Sequence, residues 1–320
     1  MDKNLHLDSV IKTHQISKEE VLLEKYRNKN KEVKEALEKK YGSKMYSPFN
    51  SGSYAKNTAI NTRFDFDQVA PFRKSAFDTL KKMYEDVYDF LYEKYMNVAE
   101  VKKQKVSIGL EFYADADGDV IKIDVVPGRE LKQDEYDNDR DLNLYVYDKY
   151  GSIDAGSERI KTNVVAQINN IKERATSEKD SIRKIIRLMK VWKTTKYNYP
   201  TKSFFLELVI IKAFDSKPIT GSLWDKLRTV LEYIKDEVIK ESFTLKDPGN
   251  SSNDVADTLT MQERQNFSND IKNMLARIDE KGENIKAYYP ENAKFKDDEK
   301  KYENKGDGYY SAPPKNERFG

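Results

Sequence analysis

The spacing of apolar residues changes along the chain and predicts strands in its first half and helices in its second. From 106 to 112 apolar residues alternate with others, and the same period of two returns from 120 to 126 after an Asp117-Gly118 turn. A period of two is typical of strands with one buried face, so these runs predict a β-hairpin. A further extended pair is predicted over 139–150.

Apolar residues at helical spacing predict two long helices before the hairpin and a series of helices after it. The first is predicted to begin at a capping box formed by Ser17 and Glu20 and to end before Gly42, a natural stop. The second is predicted over 71–96, with Pro71 in its first turn. The later helices are predicted over 157–174, 178–197, 203–214, 221–241 and 260–278.

Strands therefore cluster early and helices late, which predicts an α+β fold in two lobes. We place the α+β lobe at residues 1–155, with the first long helix as its spine, and a helical lobe at 156–282. From 283 to 320 Lys, Glu, Asp, Asn and Gly dominate, and this composition favours a flexible tail.

Composition narrows the chemistry that is open to the chain. There are 57 Lys and Arg residues against 55 Asp and Glu, and a net charge of +2 predicts no strong binding of nucleic acid. Cysteine is absent, and His6 and His14 are the only histidines, which excludes disulfides and a Cys/His zinc site. No apolar run approaches a membrane span or a signal peptide, so we expect a cytoplasmic protein. Catalysis is expected to use carboxylates and a hard metal ion.

A polar segment between the first two predicted helices carries the candidate chemistry. Gly52 permits close backbone approach to a phosphate, and the Ser53 hydroxyl can donate to one. Asp65 and Asp67 follow, and residues two apart in a strand share a face, so both carboxylates are predicted to point into one site. Asp124, on the polar face of a later strand, adds a third oxygen ligand. Three such carboxylates could bridge two Mg²⁺ ions, one activating a hydroxyl and the other holding a triphosphate.

This order of Gly-Ser, Asp-x-Asp and a later strand Asp resembles the polymerase-β-type nucleotidyltransferase superfamily. Within it, the chain is most similar to the bacterial CD-NTases, relatives of cyclic GMP-AMP synthase and oligoadenylate synthase. Gly52, Ser53, Asp65, Asp67 and Asp124 match the family motif residue by residue. The resemblance implies a bilobal nucleotidyltransferase with a mixed β-sheet in its catalytic lobe. It also implies that the three aspartates hold two Mg²⁺ ions, for which Mn²⁺ can substitute, and that Asp124 helps to deprotonate the acceptor hydroxyl.

The predicted helix over 178–197 extends the resemblance. Residues 182–193 resemble the family helix whose lysine touches the donor triphosphate, which implies this role for Lys190. Arg183, Arg187 and Lys190 share one helix face. The alternative for such a basic face is simple solvation; we favour it for the two arginines and phosphate contact for Lys190.

Residues 202–208 resemble a family segment in which a serine contacts phosphate and an aromatic residue stacks on a base. The resemblance therefore implies nucleotide binding by Ser203 and Phe204. Phe204 stands where the family usually has tyrosine, so stacking is retained and a phenol contact is lost. The alternatives, a helix N-cap for Ser203 and a core position for Phe204, stay open.

Asp115, Asp117 and Asp119 form a second acidic group at the predicted hairpin turn. Their spacing is close to that of a calcium-binding loop, but Gly118 is misplaced and no glutamate occupies the twelfth position. We interpret them as the tip of the hairpin.

The resemblance implies an enzyme that joins NTPs, ATP among them, into a cyclic di- or trinucleotide and releases pyrophosphate. Its setting would be bacterial anti-phage (CBASS) signalling, in which the product activates a separate effector. Two alternatives stay open: a nucleotidyltransferase that modifies an RNA end or a protein, and a catalytically silent nucleotide-binding scaffold. Crowded carboxylates repel one another unless a cation lies among them, which argues against the scaffold. At the chain end, Gly320 is a candidate for conjugation by a partner ligase, with an idle tail as the alternative.

Overall fold

The computed structural model describes residues 1–62, 64–148, 158–196 and 198–296, and a mixed β-sheet organises the first half of these. Its strands are β1 (Phe49–Asn50), β2 (Phe66–Phe72), β3 (Ala99–Lys103), β4 (Ile108–Phe112), β5 (Lys122–Glu130), β6 (Leu142–Tyr145) and β7 (Arg159–Thr162). Across the sheet the order is β1-β2-β5-β4-β3, and β6 pairs with both β5 and β7. The β2–β5 pair is parallel and the other pairs of this sheet are antiparallel.

The helices of the described residues include several long ones and three single turns. They are α1 (Lys3–Thr13), α2 (Glu20–Tyr41), α3 (Gly52–Ala55), α4 (Leu80–Tyr95), α5 (Tyr136–Asp139), α6 (Val164–Lys172), α7 (Thr176–Thr194), α8 (Ser203–Ser216), α9 (Leu223–Glu237), α10 (Met261–Glu280) and α11 (Ile285–Tyr288). A short antiparallel pair, β8 (Lys246–Asp247) and β9 (Asn250–Asp254), lies between α9 and α10. The predicted α+β fold with early strands and late helices is confirmed.

Two strand predictions can be compared with the sheet. The predicted hairpin is confirmed as the antiparallel pair β4–β5. The first half of the predicted pair at 139–150 is β6, whereas residues 149–157 lie outside the described residues. The pattern did not reveal β3, a strand of five residues that is antiparallel to β4 and supplies the edge of the sheet.

The long helices α2 and α4 pack on the sheet because each has one apolar stripe. Together with the strands they bury one core, to which α2 contributes Tyr26, Val33 and Leu37. From α4 come Met83, Val87 and Leu91, and from the sheet Phe66, Leu110 and Ile123. The predicted spine helix is confirmed, and this core holds β2 and β5 in place.

The starts of both helices differ from the prediction. The capping box at Ser17 is wrong, because residues 16–19 form a 3-10 turn and α2 begins at Glu20 without a side-chain cap. The second helix does not begin at Pro71, which lies in β2 opposite Gly128. A residue before proline is disfavoured in helical conformation, so Ala70 continues the strand. The helix begins instead at Leu80, where the Thr79 hydroxyl accepts from the Lys82 N–H at 3.1 Å.

A second core lies among the later helices, and the N-terminal helix α1 belongs to it. Leu7 and Val10 of α1 are fully buried there, beside α7 and α9. The chain beyond 282 also joins this core, since Ile285 and Tyr289 are fully buried. The prediction of a free tail is therefore wrong for residues 283–296. Residues 297–320, including Gly320, lie outside the described residues.

Within the described parts of the chain, the helices are either too short or too polar to cross a membrane.

Candidate active site

Strands β2 and β5 bring the predicted carboxylates together. Asp67 and Asp124 are direct partners in the parallel register, so their side chains lie on the same face of adjacent strands. Asp65 comes just before β2 and is exposed at the same end. Both strand aspartates are partly buried, and the charge of Asp65 acts on each of them. The structure thus places all three predicted acidic residues near the same end of the β2–β5 pair, within reach of one another's charges.

The electrostatics of this cluster are unfavourable without a cation. Burial, and then the negative charges of Asp65 and Asp124, raise the pKa of Asp67 to about 7. The pKa of Asp124 is also raised, first by burial and then by Asp65. Like charges held together in a partly desolvated site resist ionisation, so the arrangement favours a bound cation.

The Gly52-Ser53 turn lies directly over Asp67. The Ser51 N–H donates to the Asp67 carbonyl oxygen at 2.7 Å, and the chain then turns into α3 with Gly52 at a φ of +60°. A Cβ at Gly52 would lie 1.7 Å from Asp67 Oδ2, so only glycine fits. Ser53, the next residue, is partly exposed on the same turn.

Lys190 of α7 lies near enough to the cluster to interact with the charges of Asp65 and Asp67, and it is also hydrogen-bonded to the protein. Its Nζ donates to the Thr58 carbonyl oxygen at 2.9 Å. Burial lowers the pKa of Lys190 to about 8, and the charges of Asp65 and Glu207 oppose this shift. Lys190 is therefore close to the carboxylates, and its predicted contact with a triphosphate stays a prediction.

The interpretation of Arg183 and Arg187 as a solvated face is wrong. Arg183 Nε donates to the Lys56 carbonyl oxygen at 3.0 Å, and Arg187 Nη2 donates to that of Asn57 at 2.6 Å. With Lys190 on Thr58, three basic residues of α7 bind three consecutive carbonyl groups. Carbonyl groups of an irregular segment need donors, which this face of α7 supplies. As a result, α7 is fastened to the turn that follows Ser53.

A buried ion pair beside this contact was not predicted. Lys56 Nζ lies 2.6 Å from Glu207 Oε1 of α8, and the two side chains are only 7% and 6% exposed. The sequence signal was a glutamate between the apolar residues Leu206 and Leu208. Such a residue needs a buried partner, but the identity of that partner depends on the packing of α8 against the turn.

Ser203 and Phe204 lie at the start of α8. The N-cap alternative for Ser203 is wrong, because Lys202 is the cap residue and Ser203 is the first residue of the helix, with its side chain exposed. Phe204 is partly buried against the helical core, and the Lys56 ammonium lies 5.0 Å from its ring centroid. Lys56 thus links Phe204 to the carboxylate region. Nucleotide binding by both residues stays a prediction.

Gln104 is a further residue at the site that the sequence did not reveal. Its Nε2 donates to Asp124 Oδ1 at 3.1 Å from the turn between β3 and β4. Because β3 was not predicted, neither the turn nor its position beside Asp124 could be foreseen.

The second acidic group has its own counter-charge. Asp115, Asp117 and Asp119 lie in the turn between β4 and β5, as predicted, with their carboxylates close together. The Lys25 ammonium from α2 is 2.6–2.7 Å from all three. These ion pairs explain the cluster as an attachment of the turn to α2.

Comparison with known proteins agrees with this geometry. Residues 1–141 match the family model described as a Second Messenger Oligonucleotide or Dinucleotide Synthetase domain. A CBASS oligonucleotide cyclase, CdnC, from Escherichia coli (strain KTE188) is 27% identical over 238 residues, covering 67% of this chain and 70% of that protein.

Solved structures share the fold. E. coli MS115-1 CdnC with ATP has a TM-score of 0.64 at 18% identity and covers 85% of this chain and 91% of its own. Bradyrhizobium diazoefficiens CD-NTase CdnG in complex with GTP has a TM-score of 0.67 at 14% identity and covers 93% and 97%. At these identities the likeness is one of architecture, which places the sheet and the helices of this chain in the same arrangement.

Proposed function

We propose that this chain is a bacterial CD-NTase that joins NTPs into a cyclic di- or trinucleotide and releases pyrophosphate. The match of residues 1–141 to the synthetase domain model, the CdnC relative and the shared fold support this proposal. The observation that carries the proposal is the position of Asp67 beneath the Gly52 turn and beside Asp124, with Asp65 near enough for its charge to act on both. Three carboxylates next to a turn that can approach phosphate are what transfer of a nucleotidyl group requires.

The chemistry of the donor set fits two Mg²⁺ ions, for which Mn²⁺ can substitute. Asp65, Asp67 and Asp124 offer hard oxygen ligands. The raised pKa values of Asp67 and Asp124 support a bound cation, since it would offset the repulsion between the carboxylates. When bound, the ions would neutralise triphosphate charge and make the acceptor hydroxyl more acidic.

The residues at and around the cluster are proposed to deprotonate the acceptor and to bind the donor nucleotide. Asp124 would help to deprotonate the attacking hydroxyl, because its carboxylate lies beside that of Asp67 in the parallel register. The backbone at Gly52 and the hydroxyl of Ser53 would hold the donor triphosphate from one side, and Lys190 from the other. Ser203 would add a phosphate contact and Phe204 a stacking surface for a base.

The substrates and the biological setting follow from relatives. One solved relative holds ATP and another GTP, which supports NTPs as substrates, ATP among them. The CdnC relative is a CBASS oligonucleotide cyclase, so we place the product of this chain in CBASS signalling, where it would activate a separate effector.

The test is incubation of the purified protein with four labelled NTPs and Mg²⁺ or Mn²⁺. We expect a phosphatase-resistant product, and Asp67→Asn should lower its yield by at least about a thousandfold, because an essential metal ligand is lost. Asp117→Asn, in the Lys25-bound acidic group, is the matched control and should keep full activity.

Two outcomes would contradict the proposal. Elongation of a labelled RNA end with no cyclic product would assign the chain to the RNA-modifying transferases. Full activity of the Asp67→Asn variant would show that the chemistry takes place elsewhere.

A further inference from the structure

A tightly bonded turn lies next to Asp124, between β3 and β4. The fully buried Tyr84 places its hydroxyl 2.8 Å from the carbonyl oxygens of Gln104 and Ser107. The Gln104 N–H lies 2.9 Å from the Ser107 carbonyl oxygen and 3.1 Å from the Tyr84 hydroxyl. Hydrogen bonds thereby hold both the N–H and the carbonyl group of Gln104, which fixes the backbone position from which its side chain extends.

The orientation of the Gln104 amide is specified as well. The Ser107 hydroxyl donates to Gln104 Oε1 at 2.7 Å, so the oxygen of the amide points to Ser107 and the NH₂ group points to Asp124. An oxygen at that end would repel the carboxylate, which makes the opposite orientation unfavourable.

Gly109 leaves the space that this arrangement needs. It lies opposite Asp124 in the β4–β5 pair, and a Cβ there would be 2.3 Å from Gln104 Nε2 and 3.3 Å from Asp124 Oδ1. Any other residue would push the amide away from the carboxylate. Tyr84, Ser107 and Gly109 therefore all act on one contact, the hydrogen bond from Gln104 to Asp124.

We propose that Gln104 is a positioning residue that holds the Asp124 carboxylate in its working orientation by bonding Oδ1 and leaving Oδ2 for the reaction. The inference rests on the proposed role of Asp124 as a base and metal ligand. Asp65 and Asp67 repel Asp124, and a neutral amide donor can oppose this without adding a charge that would compete with the cation. Such an outer partner of a metal-binding carboxylate typically contributes about 10–100-fold to metal affinity or activity.

The primary test is Gln104→Leu, which keeps the size of the side chain and removes the donor. We expect kcat to fall by about 10–100-fold with little change in the KM for NTPs, since the residue acts through Asp124. The Tm should stay unchanged because the side chain is exposed. Gln133→Leu is the matched control: Gln133 makes a comparable bond to Asp134 at 2.9 Å on the surface.

A double-mutant cycle separates this role from a merely structural one. Ser107→Ala frees the amide to rotate and should lower kcat by a few-fold, as expected when one neutral hydrogen bond is lost. In the Gln104→Leu background the same change should have no further effect, because Ser107 acts only through Gln104. Mn²⁺ binding with a non-hydrolysable ATP analogue, followed by the electron paramagnetic resonance of free Mn²⁺, should weaken in Gln104→Leu and stay unchanged in Gln133→Leu.

The results that would overturn the inference differ from those that would overturn the proposed function. A higher KM with unchanged kcat would make Gln104 a direct nucleotide contact, and additive effects of the two substitutions would reduce it to a structural residue. Wild-type kcat and Mn²⁺ affinity in Gln104→Leu would also refute it. Failure of the proposed function would appear instead as full activity of Asp124→Asn, or as a folded wild type that makes no product.

Discussion

Gly52 packs so closely on Asp67 that a side chain at its position would lie on the carboxylate itself. This contact gives a physical reason for the Gly-Ser motif beyond flexibility, because the turn must cover Asp67 and still leave its oxygens free. The matching residues of the motif were predicted from the sequence, since each had a recognisable type and order. Gln104 and Lys56 were not, because neither residue type is distinctive and each acquires its role only from a neighbour distant in sequence.

The raised pKa of Asp67 predicts a pH-dependent stability in the metal-free protein. An unfolded aspartate has a pKa of about 3.9, whereas that of Asp67 in the folded chain is about 7. Between these values the folded chain binds the extra proton, so stability falls as the pH rises from about 4 to 7 and stays low above that range. In EDTA, the Tm of the wild type should therefore drop relative to Asp67→Asn between pH 5 and pH 8.

Added Mg²⁺ with ATP should restore the wild-type Tm at pH 8 and have a smaller effect on Asp67→Asn. If the Tm of the two proteins in EDTA changed with pH in parallel, the pKa of Asp67 would not be raised in the folded chain.

At the scale of elements, α7 and α8 meet the turn after Ser53 through polar contacts. Three basic residues of α7 donate to three consecutive carbonyl groups: Arg183, Arg187 and Lys190. Glu207 of α8 forms an ion pair with Lys56 of the turn. The helical spacing of these basic residues was visible in the sequence, but solvent and a row of carbonyl groups are equally good partners for such a face. The packing of α7 against the turn decided between the two.

The Lys56–Glu207 pair leads to a stability prediction. Glu207→Gln leaves a buried lysine without a counter-charge and should lower the free energy of unfolding by about 3–5 kcal/mol. The double change Lys56→Met with Glu207→Leu should recover most of this loss, because two apolar groups of similar size need no partner. Urea denaturation measures both effects.

Asp78→Asn is the control, since Asp78 and Lys82 form an ion pair of the same 2.6 Å length on the surface. It should leave the denaturation midpoint unchanged. An equally small effect of Glu207→Gln would show that the Lys56 charge finds another partner.

At the scale of the whole molecule, the two ends of the described chain meet. His6 Nε2 of α1 lies 2.9 Å from the Tyr289 carbonyl oxygen, and His14 Nε2 lies 3.0 Å from that of Pro290. The segment over 285–296 was assigned to a polar tail because Lys, Glu, Asp, Asn and Gly dominate residues 283–320 as a whole. Ile285, Tyr289 and Phe295 are nevertheless buried, and the first two belong to the helical core.

Removal of this segment should therefore destabilise the protein. Compared with a chain that ends at 296, one that ends at 284 loses three buried apolar side chains, each contributing about 1.5–3 kcal/mol. The Tm should fall by on the order of 10 °C, and differential scanning calorimetry would measure it. Equal Tm values for the two chains would contradict the burial of these residues.

The sequence by itself determined the chemistry: the three aspartates, the Gly-Ser turn and the order of strands and helices were all readable, because each depends on residue type and local spacing. The tertiary structure alone decided which partners these residues meet. The parallel pairing of β2 with β5 put Asp67 beside Asp124, and the packing of α7 and α8 turned a basic face and a lone glutamate into supports of the site. Such contacts join residues far apart in the chain, and their energies depend on burial, which no local pattern contains.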